Sequence, residues 1–178
     1  MKFQKEKIIL TGYRATGKSS IGEILADLLG FGFVDTDQVI EKRHGETIAE
    51  MVDRGGWDYF RRKEEDVLQE FARSKNKVIA TGGGSVMHEK AWKKLRKNAL
   101  TVWLTADVKT ICQRLAADNE DEDQRPALTE MGTMDEIAMV LRDRQPLYEK
   151  SSDRTINTEG KNPEQVAELI LAELTKGN

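Results

Sequence analysis

The segment Gly12-Tyr13-Arg14-Ala15-Thr16-Gly17-Lys18-Ser19 satisfies the pattern G-x-x-x-x-G-K-[ST] at every fixed position. It follows an apolar run, Lys7–Thr11, that reads as a buried strand. It opens a stretch in which Ile21, Ile24, Leu25, Leu28 and Leu29 recur at helical spacing. Strand, glycine-bearing loop and helix in that order make a phosphate-binding loop. The glycines let the backbone curl so that its N–H groups point inward, and the helix N-terminus adds the positive end of its dipole. Lys18 can reach the β- and γ-phosphates of a nucleoside triphosphate, and Ser19 can ligate Mg²⁺. The motif leaves open whether the phosphoryl group goes to water or to an acceptor.

The rest of the chain alternates short apolar runs with helical patterns. Phe33–Val34, Lys77–Ala80, Leu100–Leu104 and Thr155–Ile156 read as strands. Helices are predicted over Gly17–Leu29, Gln38–Arg54, Trp57–Ser74, Glu89–Arg96, Asp107–Ala117 (capped by Asp107), Met134–Glu149 and Pro163–Leu174. The break between the second and third is placed at Gly55-Gly56. This alternation predicts an α/β fold around a parallel sheet. Two stretches interrupt it. Residues 38–74 are mostly helical with no strand, and 118–132 are polar, acidic and turn-like; each can form a subdomain over a site, and the second can equally be a solvated loop.

Length and charge narrow the field. A chain of 178 residues fits one domain. Its net charge of −3 supplies no general basic field for nucleic acid. No run approaches the length of a membrane span, and Met1–Lys7 has neither the apolar core nor the cleavage site of a signal peptide. The single cysteine, Cys112, excludes an internal disulfide, sits in a helical apolar pattern as a packed thiol, and fits a reducing compartment. The expectation is a cytoplasmic protein with no membrane or nucleic-acid partner.

Candidate functional residues gather after the predicted strands, where ligands of open parallel sheets bind. Asp35-Thr36-Asp37 offers one carboxylate for a Mg²⁺ site and one to accept a hydrogen bond or proton from an attacking hydroxyl. A polar turn with Asp37 as a helix cap is the plainer alternative. Gly82-Gly83-Gly84 suits a backbone that must come close to a ligand, or simply a turn. Arg61, Arg62, Arg125, Arg142 and Arg144 are able to bind a carboxylate bidentately, although any one of them alone reads more readily as a surface residue.

In the order GYRATGKS, FVDTD, YFRRKE, IATGGG, QRPAL and RQPLY, the chain resembles the shikimate kinase family over nearly its whole length. The resemblance implies a three-layer α/β/α fold of the P-loop, nucleoside-monophosphate-kinase-like type, with a five-stranded parallel sheet in the order 2-3-1-4-5. It implies one domain over 1–178, with a substrate-binding helical insert at about 38–74 and a lid at about 117–132. ATP would be bound by Gly12, Arg14, Ala15, Thr16, Gly17, Lys18, Ser19 and Ser20, with Arg114 and Pro163 flanking adenine. Ser19 and Asp35 would hold Mg²⁺. Asp37, Arg61, Gly82, Gly83, Gly84 and Arg144 would bind shikimate, with Asp37 as base and the two arginines clamping the carboxylate. Lys18, Asp37 and Arg125, the last reaching the phosphates from the lid, would carry the transfer to the 3-hydroxyl. The resemblance leans toward a monomer. A gluconate-type or nucleoside monophosphate kinase, or a non-catalytic nucleotide-binding module, are the alternatives. The aspartate pair with the three glycines favours a hydroxylated acid over a nucleotide, and the presence of Lys18, Asp37 and Arg61 argues against lost catalysis.

Overall fold

The computed structural model describes residues 5–117 and 133–175. Five strands, β1 (Lys7–Thr11), β2 (Gly32–Asp35), β3 (Lys77–Ala80), β4 (Ala99–Thr105) and β5 (Arg154–Asn157), form one sheet in the order 2-3-1-4-5. Every pairing is parallel, which requires a crossover between neighbours. The helices are α1 (Lys18–Leu29), α2 (Thr36–His44), α3 (Ile48–Phe71), α4 (Glu89–Leu95), α5 (Val108–Ala117), α6 (Thr133–Ser151) and α7 (Pro163–Thr175); the first six lie in the crossovers and α7 follows the last strand. None of these helices is long and apolar enough to cross a membrane. The α/β fold and the strand order agree with expectation.

All five residues of β1 are buried, as befits a central strand covered on both faces. Alternation along the strand sends Ile8 and Leu10 to one face, where they pack with Ile21 and Leu25 of α1 and Val166 and Ile170 of α7. Ile9 points to the other face and joins Leu68 of α3, Trp92 and Leu95 of α4 and Tyr148 of α6. Lys7, only 1% exposed, anchors the start of the strand. Its Nζ donates to Ala72 O at 2.5 Å, at the end of α3, and burial pushes its pKa down.

The helical region after β2 corrects the sequence reading. The expected break at Gly55-Gly56 is present as a kink within α3, where Gly56 leaves the helical conformation at φ 72° and ψ 173°. A second break, inside the stretch 38–54 expected as one helix, lies earlier. Gly45 ends α2 in the left-handed conformation at φ 68°, and Thr47 starts α3 with a capping box. Thr47 Oγ1 accepts from Glu50 N at 3.2 Å, while Thr47 N donates to Glu50 Oε2 at 2.6 Å. Asp107 does cap α5, accepting from Thr110 N at 2.6 Å, and Cys112 is a half-buried free thiol packed beside Ile111 and Ile137.

Thr47→Ala removes one half of the capping box. It is expected to lower the unfolding free energy by about 1 kcal/mol. Urea denaturation would show this as a lower midpoint at an unchanged slope.

Candidate active site

The parallel register brings the carboxyl ends of β1, β2 and β3 to one edge, with Leu10 and Asp35 both opposite Ala80 in their pairings. From this edge spring the phosphate loop, the Asp35–Asp37 segment and the three glycines. The loop is closely determined. Gly12 has φ 142°, and a side chain there would overlap the carbonyl of Leu104 on β4. Gly17 (φ 86°) and Ala15 (φ 58°) complete the curl. Thr16 Oγ1 donates to Tyr13 O at 2.8 Å, and Lys18 Nζ donates to the same carbonyl at 2.7 Å. Ser20 is exposed on the first turn of α1.

Ser19 Oγ donates to Asp35 Oδ2 at 2.6 Å. The other carboxylate oxygen caps α2, accepting from Asp37 N at 3.0 Å and Gln38 N at 3.3 Å. The cap is therefore Asp35, and Asp37 lies in the first turn of the helix. A hydroxyl and a carboxylate in contact beside a phosphate loop are hard oxygen donors of the kind Mg²⁺ takes, one or two from protein and the rest from phosphate and water. Among the described residues no cluster of three or more His, Cys, Asp or Glu suits a metal held by protein alone.

On the α3 side of the loop lies a cavity open to solvent. Ile48, Trp57 and Phe60 give it apolar walls, and Asp37, Arg61 and Arg144 give it charge. The three glycines form its floor, each against a different neighbour. A Cβ on Gly82 would sit 2.6 Å from both Asp37 Oδ1 and Glu64 Oε1. One on Gly83 would lie 3.6 Å from Arg144 Nη1, and one on Gly84 would overlap the Arg61 guanidinium. The structure thus brings Asp37, Arg61, Arg144 and the glycines together. Arg14 also lines this cavity through its side chain, which pairs with buried Glu136 at 3.9 Å. Contact of Arg14 with phosphate would therefore run through its backbone.

Arg114 and Pro163 meet on the opposite side of the loop. They share a second cavity with Thr16, Thr158 and Lys161. Arg114 donates to Ala15 O at 3.1 Å, Thr158 Oγ1 at 3.0 Å and Thr158 O at 2.9 Å, tying the phosphate loop to the turn after β5. Arg125 and most of the 117–132 segment lie outside the described residues.

Several residues at and around the cavity beside α3 escape the sequence reading. Glu64 is completely buried, and its carboxylate accepts from Arg61 Nη1, from Ser85 Oγ at 2.8 Å and from His88 Nε2 at 2.9 Å. Burial alone would push the Glu64 carboxyl up, but the His88 hydrogen bond and the Arg61 charge outweigh it and hold it below the usual carboxylate range. Tyr148 is equally buried. It stacks on Trp103 at 5.5 Å, donates to Gly83 O at 2.5 Å, and its phenol is pushed up to about 12 chiefly by burial.

A family model described as shikimate kinase matches residues 14–175. A shikimate kinase of Thermodesulfovibrio yellowstonii is 40% identical over 168 residues, 94% of this chain and 94% of its own. One of Nitratidesulfovibrio vulgaris is 41% identical over 150 residues, 84% of this chain and 85% of its own. The solved structure of shikimate kinase from Acinetobacter baumannii in complex with shikimate superposes with a TM-score of 0.91 at 31% identity, over 99% of this chain and 96% of that one. A gluconokinase from Sinorhizobium meliloti reaches 0.55 at 16% identity, with 99% and 94% covered, a likeness of fold alone.

Glu64→Gln leaves Arg61 without its buried counter-charge. The expected cost is about 3 kcal/mol at neutral pH, the low end for such a pair, because glutamine keeps an acceptor oxygen. A carboxylate held below its unfolded pKa contributes stability above that pKa and loses it as the pH falls through the folded value. The gap between wild type and variant should therefore narrow on acidification below the ordinary carboxylate range, as measured by denaturant titration across pH.

Proposed function

The chain belongs to the shikimate kinase family, and on that premise we propose that it transfers the γ-phosphoryl group of ATP to the 3-hydroxyl of shikimate. The products are shikimate 3-phosphate and ADP, on the route to chorismate and the aromatic amino acids. One observation carries the assignment beyond kinship. A buried carboxylate and two guanidinium groups converge on one glycine floor next to the phosphate loop. An acceptor with a carboxylate at one end and hydroxyls at the other matches that arrangement of charge.

In this reading Arg61 and Arg144 clamp the acceptor's carboxylate, and Gly82, Gly83 and Gly84 let its ring lie against backbone. Asp37, 7% exposed, accepts a hydrogen bond from the attacking hydroxyl and takes its proton. The phosphate-loop amides and Lys18 hold the triphosphate, with Lys18 exchanging the Tyr13 carbonyl for phosphate oxygen. Arg114 and Pro163 border the base. Ser19 and Asp35 would hold Mg²⁺, which would supply charge neutralisation at the phosphates. Such a transfer asks of the protein mainly positioning and electrostatic stabilisation, which fixed donors in a partly closed cleft provide. Residues at about 38–74 serve as the acceptor-binding insert. Those at about 117–132 serve as a lid whose Arg125 reaches the phosphates and whose closure keeps water from them. The protein works as a cytoplasmic monomer.

The test is ADP release with ATP and Mg²⁺ in the presence of shikimate, gluconate, a nucleoside monophosphate or no acceptor. Release is expected with shikimate alone, and Asp37→Asn is expected to lower kcat by at least about 100-fold. Release without acceptor would make the protein an ATPase, and ATP binding without release would make it a non-catalytic module. Gly84→Ala should raise the KM for shikimate with little change in that for ATP, since the added methyl displaces Arg61 and no nucleotide contact. Full turnover by Arg125→Ala would remove the lid from the mechanism.

A further inference from the structure

The buried Glu64 carboxylate has more partners than are needed to hold Arg61. Its Oε2 accepts from Arg61 Nη1 and, at 2.9 Å, from His88 Nε2, while Oε1 is taken by Ser85 Oγ at 2.8 Å. Arg61 and Glu64 stand one turn apart on α3. His88 arrives from the other side, between a short 3₁₀ turn at Ser85–Met87 and α4. The Glu64 side chain is fully buried and that of His88 is 11% exposed, so water competes little for these bonds. An ionised carboxylate only accepts, so the imidazole hydrogen lies on Nε2. Two donors therefore draw on one oxygen, and what one takes the other loses.

We propose that His88 is a positioning residue for the acceptor: acting through Glu64, it sets how much of the Arg61 charge is left for the acceptor's carboxylate. The inference rests on the reading of Arg61 as a carboxylate clamp. Charge counting gives the direction. With a neutral imidazole, Arg61 and Glu64 cancel; with a charged one, the trio carries a net positive charge. His88 is linked through Glu64 to Arg61 on α3; the other charged and titratable groups on the same glycine floor are Asp37 of α2, against Gly82, and Arg144 and Tyr148 of α6, against Gly83, and its own segment carries exposed Glu89 and Lys90. Of these, Glu64 is in hydrogen-bond contact with it. An anionic acceptor therefore binds more tightly when His88 is charged, and by linkage its binding favours the charged imidazole. Without His88 the carboxylate belongs to Arg61 and Ser85, and the guanidinium has less charge to offer. A purely structural role would shift stability or turnover without regard to the acceptor's charge. A positioning role shows in carboxylate binding.

The experiment compares wild type, His88→Gln and His88→Ala from about pH 5 to about pH 8, the interval over which imidazoles generally change charge. KM for shikimate and for ATP come from steady-state kinetics, and dissociation constants for shikimate and its uncharged methyl ester from calorimetry. In the wild type, KM and dissociation constant for shikimate should rise about three- to tenfold from the acid to the alkaline end. Both variants should lose that rise and stay near the weaker, alkaline value, with KM for ATP within about twofold of wild type. A flat wild-type profile, a rise that persists in His88→Gln, or an equal rise for the methyl ester would overturn the proposal. Wild type showing no shikimate-dependent ADP release at any pH would overturn the acceptor assignment itself. If neither variant folds, the wild-type profile and the ester comparison still decide.

Discussion

The central strand fixes where chemistry can happen. Every residue of β1 is buried, both of its edges are paired, and its start is tied to the end of α3 by the Lys7 ammonium. Because its neighbours run parallel and in register, the strands end together, and each loop that leaves this edge must turn across the same narrow space. The phosphate loop, the Asp35–Asp37 segment and the glycines are neighbours for this reason, although about seventy residues separate the first from the last.

The two sides of the phosphate loop use charge differently. Toward α5 and α7, Arg114 spends its guanidinium on carbonyl and hydroxyl oxygens and acts as a strut between two loops. Toward α3 and α6, Arg61 and Arg144 face a cavity. Glu64 makes that possible for Arg61, since a guanidinium turned into a partly closed cleft is helped by a counter-charge. A carboxylate buried so deeply in turn needs several donors to stay ionised. The cost of burying the pair is met by Ser85 and His88, which satisfy the lone pairs Arg61 leaves over.

Much of this could be read from the sequence, and the limits have physical causes. The phosphate loop is a local motif whose parts are contiguous, so Gly12–Ser19 announces itself. Asp37 and the three glycines follow strands, and parallel topology says where strand ends go. The boundary between α2 and α3 was also legible, since Thr47-Ile48-Ala49-Glu50 spells a capping box two residues after Gly45. The glycine pair at 55–56 marks a real interruption, and packing of Met51, Phe60 and Val67 into one cluster holds the two helical arms together across the kink. Glu64, Ser85 and His88 carry no such local signal. Their meaning comes from a meeting across twenty-odd residues of chain, which spacing does not encode. Tyr148, in the sequence merely an aromatic after Pro146, acquires its role from the Gly83 carbonyl it holds.

The glycine floor also bears on how such a chain can change over time. A side chain would meet two carboxylates at Gly82, the Gly12 carbonyl of the phosphate loop at Gly83, and the Arg61 guanidinium at Gly84. A methyl at any one of them meets a different obstacle, so no single compensating change elsewhere could relieve all three. The surrounding side chains can drift and repack, and a new acceptor preference could arise from residues such as Ile48 or Trp57. The floor itself offers no first step, and inherited variation in specificity must enter through the walls.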